Sequence, residues 1–262
     1  PPKRGDEHRV ANRTDFKKIE IGALIAGGGI AGSALFRYMS DAGLNPVLVN
    51  ADRGSSWRNI GGGRTAFSLP ELAEIAEHNH AIFKELQKIS NIDYKTTRYI
   101  NLAHDESTFN ALDASRAWSD AFMVDPKNFH KEISPYFSTK SKRYLGALIT
   151  NDCWQATPGK VVDLIRNMGV SAGGRIVEDC KVLEVMKEGS TYSILVLTHD
   201  KKYVEFRTEI FVNALGAGAG KICEGLGIHA GLYPVRHQAF ITRRLPMLGK
   251  NGDSLDMLID RQ

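Results

Sequence analysis

Cysteine is scarce in this chain: Cys153, Cys180 and Cys223 are the three in 262 residues, and none stands in a C-x-x-C pair. An odd count without such spacing argues against a disulfide framework and suggests a reducing, intracellular compartment, either the mitochondrial matrix or the cytoplasm. Long apolar runs are missing as well. Nothing approaches the roughly 18–20 consecutive apolar residues of a membrane helix, so no membrane span is expected. Residues 1–18 are polar and charge-mixed, without the apolar stretch of a secretory signal. Concentrated charge is also absent: the basic clusters Lys140/Lys142/Arg143, Lys201/Lys202 and Arg243/Arg244 are short, separated and not interleaved with aromatics. They read as solvated loops, and no nucleic-acid partner is expected. No internal repeat, low-complexity segment, Ser/His/Asp set or metal-ligand cluster stands out, so no metal is expected. What remains is an ordinary composition, 42% hydrophobic and 24% charged with a net charge of +4, in a chain long enough to bury a sizeable core.

The positive signal lies in residues 19–50, IEIGALIAGGGIAGSALFRYMSDAGLNPVLVN: an apolar run, a glycine turn, an apolar helix and a second apolar run. Gly27, Gly29 and Gly32 have G-x-G-x-x-G spacing. Gly27 permits the tight turn out of the strand, Gly29 leaves room for a pyrophosphate, and Gly32 lets the helix pack close to the sheet. The diphosphate would meet the free N–H groups of the helix N-terminus. Gly43 stops the helix as a C-cap. The pattern predicts a nucleotide-binding βαβ unit.

Beyond it comes a Gly/Ser/Arg-rich loop, Ala51–Phe67, then a helix from Ser68 or Leu69 to about Ser90. His78 and His80 lie two apart on that helix and point in different directions, so they read as surface histidines. Strands are predicted at Arg98–Ala103 and Tyr144–Thr150, a short helix at Asp125–Pro135, and a helix at Lys160–Met168. Arg175–Met186, Thr191–Thr198 and Tyr203–Arg207 read as three strands joined by hairpin turns. Glu209–Leu215 reads as a buried strand running into Gly216–Gly220 and a helix at Lys221–Leu226. This second glycine turn is either a tight strand–helix connection or a second backbone approach to the same ligand. A last strand is expected at Leu255–Asp260.

Four segments in this order resemble the D-amino-acid oxidase-like superfamily of FAD-dependent oxidoreductases, with sarcosine and dimethylglycine dehydrogenases and glycine oxidase among its members. They are Ala26–Gly32; Gly54–Arg64 (GSSWRNIGGGR); Phe211–Gly220 (FVNALGAGAG); and Tyr233–Gln238 (YPVRHQ). The resemblance implies an α/β fold: a Rossmann-like FAD-binding domain (19–98 and 159–232) and a second, antiparallel-sheet substrate domain (99–158 and 233–262), incomplete at the C-terminus, after a polar extension (1–18). It implies FAD contacts from Gly27, Gly29, Ile30, Ala31, Gly32, Asn50, Ala51, Ser55, Ser56, Arg58, Asn59, Gly61, Gly62, Gly63, Val182, Ala214 and Gly216, with Val182 meeting the adenine through its backbone. Arg64, Arg236 and His237 are the candidates for substrate carboxylate or flavin-edge contacts, with Arg64 and His237 assigned to catalysis.

Three departures accompany the resemblance. Asn50 stands where the family carries an acid for the ribose; an amide accepts one hydrogen bond and donates another but loses charge-assisted strength, so weaker FAD binding is expected. Arg58 follows Ser56-Trp57 where some relatives carry a histidine linked to the flavin, so FAD is expected to be non-covalent. The chain also stops at Gln262, before most of the family's substrate-binding residues, so a missing C-terminal segment or a partner chain is expected to complete the fold. The implied activity is oxidation of a small amine or amino acid by hydride transfer to flavin. A 2-hydroxyacid or glycerol-phosphate dehydrogenase on the same scaffold, or a non-catalytic flavoprotein-like subunit of a larger assembly, are the alternatives.

Overall fold

A computed structural model of the chain describes residues 16–51, 54–67, 69–135, 137, 143–238 and 256–260. Most of the polar extension, Ser68, Leu255 and the basic residues Lys140, Lys142, Arg243 and Arg244 lie outside them. The chain forms two compact units, one from the described parts of Pro1–Arg58 and Ile165–His237, the other from those of Asn59–Leu164 and Gln238–Gln262.

The first unit is built on a parallel sheet of β2 (Ala23–Ala26), β3 (Pro46–Val49), β8 (Arg175–Val177) and β12 (Phe211–Asn213), in the order β12-β2-β3-β8. Strands covered on both faces are apolar at every position, and β2 is fully buried throughout. Its Ala23 and Ile25 pack with Phe36 and Met39 of helix α1 (Ile30–Asp41), while Leu24 and Ala26 join Ile194, Val196 and Phe206 on the other face. Phe36 sits in a slot made by two glycines: a Cβ on Gly169 or Gly174 would come within 2.5 Å of its ring. Helix α1 ends as expected, with Gly43 at φ +75° and the pair Gly43 N–H to Ser40 O and Leu44 N–H to Met39 O.

The apolar run from Ile19 is not one strand. β1 (Lys17–Glu20) leaves the central sheet and pairs with β11 (Tyr203–Thr208), which continues through β10 (Thr191–Leu197) to β9 (Lys181–Glu188). The predicted strand Arg175–Met186 is likewise two strands in different sheets, broken by Asp179 at φ +53°. Helix α5 (Pro158–Ser171) carries the chain into this unit, and α6 (Ala219–Gly225) follows β12.

The second unit centres on β7 (Gly146–Gln155), which pairs antiparallel with β5 (Lys95–Ala103) on one edge and with β6 (Ala121–Val124) and β4 (Gly62–Gly63) on the other. β13 (Met257–Asp260) extends the sheet parallel to β5. Residues 59–98 belong here because β5 and β7 share a long ladder. One face packs Ile100, Leu102, Ala147 and Ile149 against Val124 and Phe129. Within Asp125–Pro135 the predicted helix shrinks to a 3-10 turn and α4 (Phe129–Glu132). Helix α3 (Glu106–Ala114) was not predicted; its N-cap is Asp105, whose carboxylate accepts from Thr108 N–H at 2.8 Å. Helix α2 (Pro70–Ile89) corrects one expectation: His80 is buried, at 3% exposure, and not a surface histidine.

Candidate cofactor site

The C-terminal ends of the parallel strands in the first unit bring both glycine turns together. Gly27, at φ +106°, follows β2; a Cβ there would lie 2.3 Å from the Ala214 carbonyl oxygen at the end of β12. A Cβ on Gly32 would lie 1.9 Å from the Gly27 carbonyl oxygen, so the helix can rest on the turn only without one. At Gly29 an added Cβ would meet, among the described residues, the Ser56 side chain, its hydroxyl at 3.0 Å. Gly27 and Gly32 thus have steric reasons to be glycine in the turn and at the helix contact, while Gly29 borders the Ser56 hydroxyl. Ile30 and Ala31, exposed in the first turn of α1, follow directly.

Helix α1 has no capping side chain of its own and no acid in its first turn. Its Ile30 N–H is donated to the Ser56 hydroxyl, 2.9 Å away, from the 3-10 turn Ser55–Trp57. Ser55 and Arg58 are exposed beside it, as is Ala51 after β3. On the second turn, Gly216 is exposed at φ +56°, and Asn213 donates its amide to Ala219 O at 2.9 Å to hold the start of α6. Val182, half-buried in β9, pairs with Val196 beside a bulge that leaves Leu183 without a partner in the ladder.

Asn50 is more committed than the sequence implies. It is 8% exposed; its Oδ1 accepts from Gly28 N–H at 3.2 Å, and its Nδ2 donates to Glu178 Oε2 at 2.9 Å. An added Cβ at Gly28 would meet the same amide at 2.9 Å, so a glycine outside the motif is required by Asn50. Glu178 receives its second partner from Arg166 of α5, whose guanidinium is buried and lies 6.0 Å from the centre of the Trp57 ring. Arg166 Nε and Trp57 Nε1 find no hydrogen-bond partner among the described residues. Sequence reading missed Glu178 and Arg166, and the only signal available was that Asn50 replaces an acid.

In the second unit, Asn59 Oδ1 accepts from Gly61 N–H at 2.6 Å. The glycine run after it has packing reasons of its own. A Cβ on Gly61 (φ +73°) would lie 2.1 Å from Ala156 O, one on Gly62 2.8 Å from the Tyr99 hydroxyl, and one on Gly63 2.0 Å from the Trp154 indole. The run therefore orders against β5 and β7 without needing a ligand. Arg64 lies over the Phe67 ring at 4.5 Å and lines a cavity of about 310 Å³ together with Asn101, Ser107, Thr108 and Ser115. Burial raises the Tyr99 pKa, opposed by the nearby Arg64. Arg236 and His237 are both exposed, in a stretch of the first unit without helix or strand. Among the described residues no helix is long and apolar enough to cross a membrane, and no group of three metal-binding side chains forms.

Comparison with known proteins agrees with this geometry. Residues 23–260 match the family described as FAD dependent oxidoreductase (DAO). The chain is 26% identical over 240 residues to the anaerobic glycerol-3-phosphate dehydrogenase subunit A1 of Haloferax volcanii, covering 80% of the chain and 39% of that protein. It is 23% identical over 238 residues to the formaldehyde-forming 4-methylaminobutanoate oxidase of Paenarthrobacter nicotinovorans, covering 87% of the chain and 28% of that protein. The fold is similar to that of L-proline dehydrogenase from P. horikoshii, with a TM-score of 0.67 and 19% identity, over 81% of this chain and 57% of that one. The chain thus spans well under half the length of the curated relatives it matches.

Proposed function

Because the chain belongs to the FAD-dependent oxidoreductase (DAO) family, we propose that it forms the nucleotide-binding part of an enzyme that oxidises a small amine or amino acid, with FAD held non-covalently. The observation that supports this best is the Ala214 carbonyl lying where any side chain on Gly27 would stand. The two glycine turns adjoin at the C-terminal ends of the neighbouring parallel strands β2 and β12, the position where such sheets take nucleotides. The residues fit the cofactor: Gly29 keeps the turn clear of any side chain of its own, and the first turn of α1 carries no acid to oppose a diphosphate.

When bound, FAD supplies the hydride acceptor for oxidation at the substrate Cα. In this reading the turn Gly27–Gly32 cradles the diphosphate: Gly29, Ala31 and Gly32 offer it backbone N–H groups, Gly27 shapes the turn with its own N–H donated to Val49 O at 2.8 Å, and the Ile30 N–H is held by the Ser56 hydroxyl at 2.9 Å. Ala51, Ser55 and Arg58 border the same strand ends, Ala214 and Gly216 bring backbone to them, and Val182 offers its backbone to the adenine. In the second unit Arg64 places a fixed cation on a cavity otherwise lined by apolar, amide and hydroxyl groups, which suits a substrate carboxylate. Asn59, Gly61, Gly62 and Gly63 shape the backbone leading to it. A further segment or a partner chain supplies the remaining substrate contacts. The three free thiols suit a reducing compartment.

Oxidation of a 2-hydroxyacid or glycerol phosphate is the second reading, favoured by the likeness to the Haloferax volcanii protein. That relative is itself named a subunit, which fits a place in a larger assembly. The test is anaerobic mixing of the FAD-saturated protein with N-methyl amino acids, simple amino acids, 2-hydroxyacids and glycerol 3-phosphate. Flavin bleaching by amines alone supports the first reading; bleaching by the alcohols replaces it with the second. Retained but unreactive flavin fits the subunit, and no uptake of FAD removes the enzyme reading for this chain. Acid precipitation should release all the flavin, and colour left in the pellet would contradict non-covalent binding.

A further inference from the structure

We propose that Glu178 supplies the carboxylate that holds the adenosine ribose, taking over from the position filled by Asn50, with Asn50 and Arg166 as its positioning partners. The proposal rests on the FAD reading above. In βαβ nucleotide sites the ribose hydroxyls meet an acid about 20 residues beyond the glycine turn. Here that place belongs to a neutral amide, buried and engaged on both sides by Gly28 N–H and Glu178.

The acid stands one strand away at the same level. β3 and β8 are parallel neighbours with Val49 opposite Val177, so Asn50 and Glu178 leave the sheet side by side at its C-terminal edge. Each carboxylate oxygen of Glu178 is oriented by one donor, Oε2 by Asn50 Nδ2 at 2.9 Å and Oε1 by Arg166. Those donors are nearly fully buried, whereas the Glu178 side chain is 49% exposed. A carboxylate has about four acceptor positions, so two bound donors leave room for a pair of hydroxyls. Arg166 is locked by its burial beside the Trp57 ring, which fixes the carboxylate's direction.

The arrangement also explains why residue 50 is an amide. An aspartate there would put a second carboxylate at hydrogen-bonding distance from Glu178 and would lose the N–H donor that orients it. Acid and amide have in effect exchanged strands. Restoring the acid at position 50 alone should therefore weaken FAD binding.

The experiment measures FAD dissociation constants by titration, with the unfolding midpoint of the FAD-free protein as a second readout. Glu178→Gln should raise the FAD dissociation constant by roughly ten- to a hundredfold, the usual weight of a charged hydrogen bond, and should also lower the FAD-free midpoint, because it removes the anionic partner of the buried Arg166. Asn50→Asp should weaken FAD, and Asn50→Asp combined with Glu178→Gln should recover most of the affinity. An unchanged FAD affinity in Glu178→Gln, or tighter FAD in Asn50→Asp alone, overturns the proposal. Should Glu178→Gln fail to fold, the direction of the Asn50→Asp effect decides. Failure of the unmodified protein to bind FAD would count instead against the cofactor reading itself.

Discussion

The imidazole of His80 lies flat on the indole of Trp154, with ring centroids 4.5 Å apart and planes 5° from parallel. The Tyr94 hydroxyl is 2.6 Å from His80 Nε2, and the Asp152 carboxylate is 3.5 Å from Nδ1. Trp154 in turn covers Gly63, its partner in the β4–β7 ladder. A histidine of α2 is therefore joined through one stacked ring to the glycine segment that leads to Arg64.

That stack gives the protein a pH dependence. Burial pushes the His80 pKa below 6.5, outweighing the pull of Asp152. The folded protein binds this proton less readily than the unfolded chain. The contribution to stability is complete above about 6.5, the unfolded value, and is lost as pH falls through the folded pKa. Denaturant titrations between pH 7.5 and 5 should show falling stability, and His80→Gln should flatten that slope. A slope unchanged by the substitution would remove His80 as its source.

Two glycines with positive φ should respond very differently to alanine. Among the described residues nothing lies within 4 Å of an added Cβ at Gly43, so Gly43→Ala carries only the left-handed backbone cost, about 1 kcal/mol. Gly27→Ala adds a collision with the Ala214 carbonyl, part of a neighbouring strand that cannot turn aside. It should cost several-fold more or prevent folding. Equal unfolding free energies for the two variants would contradict this account of the turn.

Ser56→Ala removes the acceptor for Ile30 N–H at a helix end that has no cap of its own. The loss should be about 1 kcal/mol of stability in the FAD-free protein, as for other lost caps, measured by chemical denaturation. Ser56→Thr, which keeps the hydroxyl, should retain most of it.

Arg64→Gln tests the cavity of the second unit. If Arg64 receives a substrate carboxylate, the change should weaken carboxylate ligands by about tenfold or more while FAD affinity stays the same. Ligand titration of the FAD-loaded protein reads both quantities. A loss of FAD affinity with carboxylate binding intact would move Arg64 to the cofactor instead.

Local signals were reliable where one segment of chain decides the outcome. The G-x-G-x-x-G spacing, the stop at Gly43 and the fully apolar β2 and β3 all depend on backbone conformations and periods within a few residues. The run Arg175–Met186 misled because apolar residues stand on both sides of the polar break at Glu178-Asp179, and the turn there is imposed by two sheets taking opposite ends of the run. His80 misled because its polarity is satisfied by Tyr94 and by stacking, neither of which helix periodicity can reveal.

By itself the sequence determined that this chain makes a βαβ unit with a G-x-G-x-x-G turn and a second glycine turn, because strand, turn and helix there follow from local periodicity and from the left-handed backbone at Gly27 and Gly43. Only the tertiary structure decided what surrounds it. Asn50 and Glu178 are 128 residues apart in sequence and adjacent across two strands. Ala156, Tyr99 and Trp154, all distant in the chain, explain Gly61, Gly62 and Gly63. Such contacts are fixed by strand order and register, which bring together residues that no short-range pattern links.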